Sequence, residues 1–352
     1  MEREQKIIIE KDFSEEVNEV RENQEKSLAE KEMQEASELF GDLINQVSSR
    51  YEGMPDKMRE NFIAHNSDIL KSSIEFGMKK GFSDNELKAL ELSAILHDVT
   101  KNDSLPEVID QKFKKTFGED SFEYKRIEAD YRLLIHGKTA SQESMEILSD
   151  EFLVKHSIID DFENIREIVS RAIAEHMGPN PGYMGFVLEA TNKKLKDMGE
   201  TEIVHPRARG KVSEVLLAAD MKSLASEHGI CKVISIRYNF NQAQDRKVVQ
   251  EYKDKGVNLT MGEAALLSAI ESANQARDMI SDLELKMEIS KTINEAMGVE
   301  YKYGEEDKIE ILNCEKALQK QRDYLRIVSQ EEQSKKDEDE LEEVRTRLRE
   351  AA

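Results

Sequence analysis

The stretch LKALELSAILHDVTK, residues 87–101, runs apolar for about three helical turns and then delivers a histidine and an aspartate side by side. Ser83 and Glu86 form an S-x-x-E capping box, so a helix starts there and ends at His97–Asp98. Ionisable groups at the end of so apolar a face need partners, because burying them unpaired is costly. The partners have to come from elsewhere in the chain.

Four other segments carry the same signature. Phe62, His65, Ile69 and Phe76 share one helical stripe. His136 closes the apolar run LLI, ahead of GKTASQESMEIL, which reads as a helix starting at a glycine turn. Ile165, Val169, Ala172 and His176 line up at helical spacing, and GPNPGYMG (178–185) breaks the chain beyond them. Leu216, Leu217, Asp220 and Leu224 make a fifth inward stripe. A single histidine on an apolar face is ordinarily a hydrogen-bonded core residue. Six inward ligand-type groups on five elements, with few inward cations to pair them, point instead to convergence on a divalent cation. Mixed imidazole and carboxylate donors suit Fe, Mn, Zn, Co or Ni and disfavour Ca or Mg. His156, His205 and His228 lie outside these stripes and read as loop or surface residues.

Composition bounds the rest. The 352 residues include 73 acidic and 51 basic ones, a net charge of −22, which argues against wrapping extended nucleic acid or lying on anionic lipid. With 38% hydrophobic and 35% charged residues, part of the chain is expected to be an elongated, solvated helical region. No 18-residue apolar run and no signal-peptide pattern occur, so no membrane span is expected and a cytoplasmic location is the default. Two cysteines, Cys231 and Cys314, cannot build a disulfide framework or a cysteine zinc site.

The order His65, His97–Asp98, His136, His176, Asp220 resembles the HD-domain metal-dependent phosphohydrolases. The resemblance covers residues 60–230 and rests on HD followed by VTK, an HG pair, an EHMGP helix end and LLAADMKSL. It implies an all-α fold with an HD-type helical core. It also implies two divalent transition-metal ions, Fe or Mn foremost. His65, His97, Asp98 and Asp220 would hold the first, His136 and His176 the second, with Asp98 bridging. Lys101 matches the lysine of the family's HD-x-x-K and would contact a substrate phosphate; it lies on the same helical face as the pair. The implied reaction is attack on a phosphoester or phosphoanhydride by a metal-activated water, on a small phosphorylated substrate such as a nucleotide or dinucleotide. Within the family the motif order is similar to that of the bacterial symmetrical dinucleoside-tetraphosphate hydrolases, although the intervals of 39, 40 and 44 residues between successive motifs are longer here. A ribonuclease Y-like nuclease, or a non-catalytic metal-binding HD module acting through its helical arms, are the alternatives. The basic loop HPRARGK, with Arg207, Arg209 and Lys211, reads as a solvated loop or as a site for distal phosphates.

Three regions are expected: a charged, loosely packed helical arm over 1–52, a catalytic domain over 53–258, and a charged helical hairpin or coiled coil over 259–352. In the last, 261–298 reads as one long helix, and Leu318, Leu325, Leu341, Val344 and Leu348 hint at a broken a/d seam that could join two chains into a homo-oligomer. The β-branched stretch ICKVISIRYNF (230–240) fits a short strand or a buried helix equally.

Overall fold

The computed structural model describes residues 27–52, 56–101, 103–156, 158, 162–178, 183–226, 242–254, 264, 274, 275 and 277–296. Every regular element among the described residues is an α-helix, in agreement with the all-α fold the sequence predicts. The chain forms two compact units, Met1–Asp220 and Met221–Ala352. That division falls earlier than the 258/259 boundary suggested by composition.

The first unit begins with helix α1 (27–39) and α2 (Gly41–Ser49), the region expected to be a loosely packed arm. It is instead docked: Ala36, Phe40, Leu43, Val47 and Tyr51 are all buried. These residues recur once per turn, a stripe only one side chain wide, which the surrounding charge hides in a composition-based reading. Tyr51 stacks on Phe62 of the next helix, ring centroids 5.2 Å apart.

Helices α3 (Asp56–Lys79) and α4 (Asp84–Leu96) pack on each other. The capping box of α4 is present as read, with Ser83 accepting from the Glu86 amide and the Glu86 carboxylate accepting from the Ser83 amide. Such a cap contributes about 1 kcal/mol. From Ala89 to Leu96 every residue of α4 is buried, so this helix is the centre of the unit.

The segment 105–131 makes its own small core. Helix α5 (Glu107–Phe117) packs against the start of α6 (Phe122–Ile147), with Leu105, Phe113, Tyr124 and Ile127 buried beside Leu195 of α9 (Tyr183–Asp197). Contrary to the expected helix start at Gly137, α6 runs without interruption through His136–Gly137. A short α7 (Asp150–Lys155) leads to α8 (Phe162–Glu175), which packs on both α6 and α4. Gly178, at φ 52, turns the chain out of α8, as the Gly/Pro cluster requires. Helix α10 (Lys211–Ala225) carries Asp220, the last residue of this unit.

The second unit contains helices Gln242–Asp254 and Leu283–Ala296 among its described residues. The single helix expected over 261–298 is interrupted at Ile280–Asp282, where the Asp282 carboxylate caps the next helix by accepting from the amides of Glu284 and Leu285. Ile280, Leu285, Ile289 and Ile293 are among its buried side chains. ICKVISIRYNF and the helix proposed beyond residue 308 lie outside the described residues.

Candidate metal centre

Each inward stripe of the sequence delivers its polar residue to one place. His65 on α3, His97 and Asp98 at the end of α4, His136 on α6, His176 just beyond α8 and Asp220 on α10 are all buried. His65 Nε2 lies 3.4 Å from Asp220 Oδ1 and 3.9 Å from Asp98 Oδ2. His97 Nε2 is 3.5 Å from Asp98 Oδ2, and His136 Nε2 is 3.1 Å from Asp98 Oδ1. His136 and His176 bring their Nε2 atoms to 3.2 Å of each other. Two groups of donors therefore each can hold a metal ion: His65, His97 and Asp98, and Asp98, His136 and His176. Asp98 belongs to both.

The backbone sets the tautomers. His97 Nδ1 lies 2.8 Å from the Ala94 carbonyl, His136 Nδ1 2.6 Å from Leu133 O, and His176 Nδ1 2.6 Å from Ile173 O. A ring nitrogen at that distance from a carbonyl carries a proton and donates, which in a neutral imidazole leaves Nε2 as the lone pair. The same i−3 geometry at three helix positions aims three lone pairs at one carboxylate. Asp98 Oδ1 lies 3.1 Å from His136 Nε2 without forming a hydrogen bond. His97 Nε2 is likewise buried and without a hydrogen-bond partner. Converging lone pairs and a carboxylate oxygen, none satisfied by a donor, form a donor set that fits a cation.

Electrostatics agree with that fit. Burial alone would raise Asp98, but the Lys101 ammonium beside it, the largest opposing influence, holds its carboxyl well below the usual carboxylate range. Burial, with His136 and His97 alongside, pushes His176 well below the usual imidazole range, so its ring is neutral and able to ligate. Burial raises Asp220, opposed by His97 and reinforced by Asp98. Lys101, the predicted phosphate contact, ion-pairs with Asp98 and sits over the Phe62 ring at 5.5 Å. It is 19% exposed against 1% for Asp98, so it stands at the rim of the cluster.

Several residues that the sequence reading passed over build this arrangement. A Cβ added to Gly137 would lie 3.2 Å from His176 Cε1, Ile173 O and Met177 Cγ, so the absent side chain is what lets α6 approach α8 closely enough to juxtapose His136 and His176. Thr100 donates to the His136 carbonyl at 3.3 Å and shares a 2.6 Å hydrogen bond with Thr139, tying the turn after Asp98 to α6. Tyr51 donates to the Asp98 carbonyl at 3.3 Å. His205 is not the surface residue expected: it is half-buried, its Nε2 2.8 Å from Leu134 O, and burial lowers its pKa. His156 is buried too, between Phe40 and Phe152, with Nδ1 2.6 Å from Leu39 O, but it lies apart from the cluster. His228 lies outside the described residues. Among the described residues no helix is long and apolar enough to cross a membrane.

No family model, no curated protein and no solved structure matches this chain, so the chemistry of the cluster itself carries the functional argument.

Proposed function

We propose that the chain is an HD-type metal-dependent phosphohydrolase that holds two divalent transition-metal ions, Fe or Mn foremost, and hydrolyses a phosphoester or phosphoanhydride of a small nucleotide-like substrate. The observation that carries the reading is Asp98, a buried carboxylate shared by two donor groups, with one oxygen that no hydrogen bond satisfies. His65, His97, Asp98 and Asp220 would hold one ion, and Asp98, His136 and His176 the other. When bound, the ions supply Lewis acidity, activating water at neutral pH and neutralising charge on the phosphoryl oxygens.

The chain's own residues do the remaining work. The Nδ1–H···O=C bonds of His97, His136 and His176 fix ring orientation and keep Nε2 available. Tyr51 holds the Asp98 carbonyl and Thr100 ties the turn after Asp98 to the His136 carbonyl, and both are positioning residues. Lys101 supplies a mobile positive charge at the rim, where its ammonium can leave Asp98 for a substrate phosphate as that phosphate arrives. The apolar packing around the cluster strengthens each of these charge interactions relative to water.

Elemental analysis of purified protein, joined to turnover of a nitrophenyl phosphodiester and a nucleotide panel with added Mn, tests the reading. Two transition ions per chain are expected; Asp98→Ala should strip both and His97→Ala should abolish turnover. Lys101→Ala should chiefly raise KM. Metal content unaffected by Asp98→Ala would sink the shared-carboxylate centre. A fully metallated protein inactive across the panel would leave the non-catalytic binding module as the function.

A further inference from the structure

The loop between α9 and α10 is irregular yet pinned at three points. Ile203 exchanges two hydrogen bonds with the Asn192 side chain, at 2.8 and 2.9 Å. His205 Nε2 donates to Leu134 O at 2.8 Å, and the Arg209 amide donates to Glu175 Oε2 at 3.0 Å. Glu175 is a buried carboxylate next to His176, and Leu134 is two residues from His136. The two anchors are therefore the very turns of α6 and α8 that carry the second pair of histidines.

What the anchored loop presents is cationic. Arg207 and Arg209 are exposed, and neither guanidinium has a carboxylate partner among the described residues, whereas Arg50, Arg126, Arg132, Arg166, Arg171 and Arg277 each have one. In a chain with 73 acidic residues, two arginines left without carboxylates on a fixed loop are an exception that solubility does not require. Arg171, which pairs with Glu167, packs against the end of the loop: a Cβ at Gly210 would lie 3.5 Å from its Nη2, so the glycine admits the side chain against the loop backbone. Guanidinium groups are forked donors matched to phosphate oxygens. Two arginines on one short loop, in a field this negative, suit one compact anion rather than an extended nucleic acid, which needs a basic stripe.

We propose that the loop His205–Gly210 binds a phosphate group of the substrate other than the one attacked, so that the enzyme selects substrates bearing two or more phosphates over simple monoesters. The inference rests on the phosphohydrolase reading above and adds to it the substrate class. His205 and Glu175 are positioning residues that hold the loop; Arg207 and Arg209 contact the anion.

The test uses the full-length, metal-loaded protein and two measurements. Calorimetric titration with inorganic tripolyphosphate should show binding that weakens by at least ~10-fold in Arg207→Ala/Arg209→Ala, since each charge-assisted hydrogen bond contributes at that scale. The ratio of kcat/KM for a nucleoside triphosphate to that for a nitrophenyl monoester should fall by a similar factor, through KM. The double lysine variant should recover only part of the binding, because it restores charge and not the fork. Tripolyphosphate affinity that is absent in the wild type, or equal in wild type and double alanine variant, overturns the proposal. Wild-type protein that turns over no ester refutes the hydrolase reading alone, because the titration still reports whether the loop holds the anion.

Discussion

His156 and three histidines of the candidate metal centre, His97, His136 and His176, start from the same chemistry and end differently. All four rings are buried, and all four place Nδ1 against a backbone carbonyl, His156 at Leu39 O and the others at the carbonyl three residues back. All therefore turn Nε2 away from that carbonyl. The Nε2 of His156 faces only Asp42, 3.4 Å away, a half-exposed carboxylate already ion-paired with Lys155. The Nε2 atoms of His97, His136 and His176 face one another and a fully buried Asp98. Burial and tautomer are thus shared by a structural histidine and a ligand-type histidine. Convergence of several lone pairs on one carboxylate is what separates them.

The sharpest way to break this comparison is to remove a converging ring. His176→Ala should leave His65, His97, Asp98 and Asp220 intact and lower metal content from two ions to one per chain, measured by elemental analysis. It should also change the acid response. His176 has a folded pKa below its unfolded value, so the unfolded chain binds more protons and stability falls as pH drops below about 6.5. In metal-stripped protein the variant should flatten that acid limb in urea melts at pH 5 and 7. An unchanged metal content would mean that His176 behaves like His156 and that convergence is not the criterion.

A smaller effect is expected from Gly137→Ala, which keeps every donor and perturbs only their spacing. The new Cβ must displace His176, Ile173 or Met177 by a few tenths of an ångström. Alanine gains about 1 kcal/mol of helix propensity over glycine, while overpacking costs about 1–3 kcal/mol, so net stability should move by only ~1 kcal/mol. Metal affinity at the His136–His176 side should nevertheless fall by ~10-fold, because ligand geometry is less forgiving than helix packing. Chelator competition separates the two readouts. A stability loss without a change in affinity would make Gly137 a packing residue.

Gly137 also marks where sequence reading stopped. Its glycine suggested a helix start, because a breaker residue is what a local pattern registers; the close approach of α8 that uses it is a tertiary fact. The stripes ending in His65, His97, His176 and Asp220 were legible because apolar periodicity carries over directly to the buried face. The capping box at Ser83 was legible for the same local reason. His156 was not, since the six-residue α7 before it is too short to show a period. Phe40 to Tyr51 escaped because a stripe one residue wide is lost among charges, and the break at Asp282 because a single capping aspartate resembles any other acidic residue in that segment.

His156→Ala probes the comparison from the other side. It should leave metal content and metal affinity unchanged. It should cost about 2–3 kcal/mol of stability, from the emptied space between Phe40 and Phe152 and the lost bond to Leu39 O. Urea denaturation and elemental analysis on the same preparation check both halves. Metal loss in this variant would show that the α1–α2 region is coupled to the centre, and the two kinds of histidine would no longer be separable by convergence.

The last contrast is Glu91, a buried carboxylate of α4 whose Oε1 has no hydrogen-bond partner. It resembles Asp98 in burial and in its orphaned oxygen, but the charges that face it are of the wrong sign. Burial and the nearby Glu32 and Glu35 push its pKa up to about 8, with only Lys88 opposing. The Lys101 ammonium beside Asp98 does the reverse, so α4 and the turn after it hold one carboxylate protonated and the other ionised. Because the folded pKa of Glu91 is raised above its unfolded value of about 4.5, its contribution to stability is fully present below that pH. It is lost as pH rises towards about 8. Glu91→Gln keeps the shape and removes the titration, so the variant should match the wild type near pH 5 and exceed it by about 1–2 kcal/mol at pH 8. Paired urea melts of variant and wild type at the two pH values cancel every other titrating group. A difference independent of pH would mean that Glu91 is ionised in the folded chain and stabilised by a cation, as Asp98 is, and that burial beside Glu32 and Glu35 does not set its protonation.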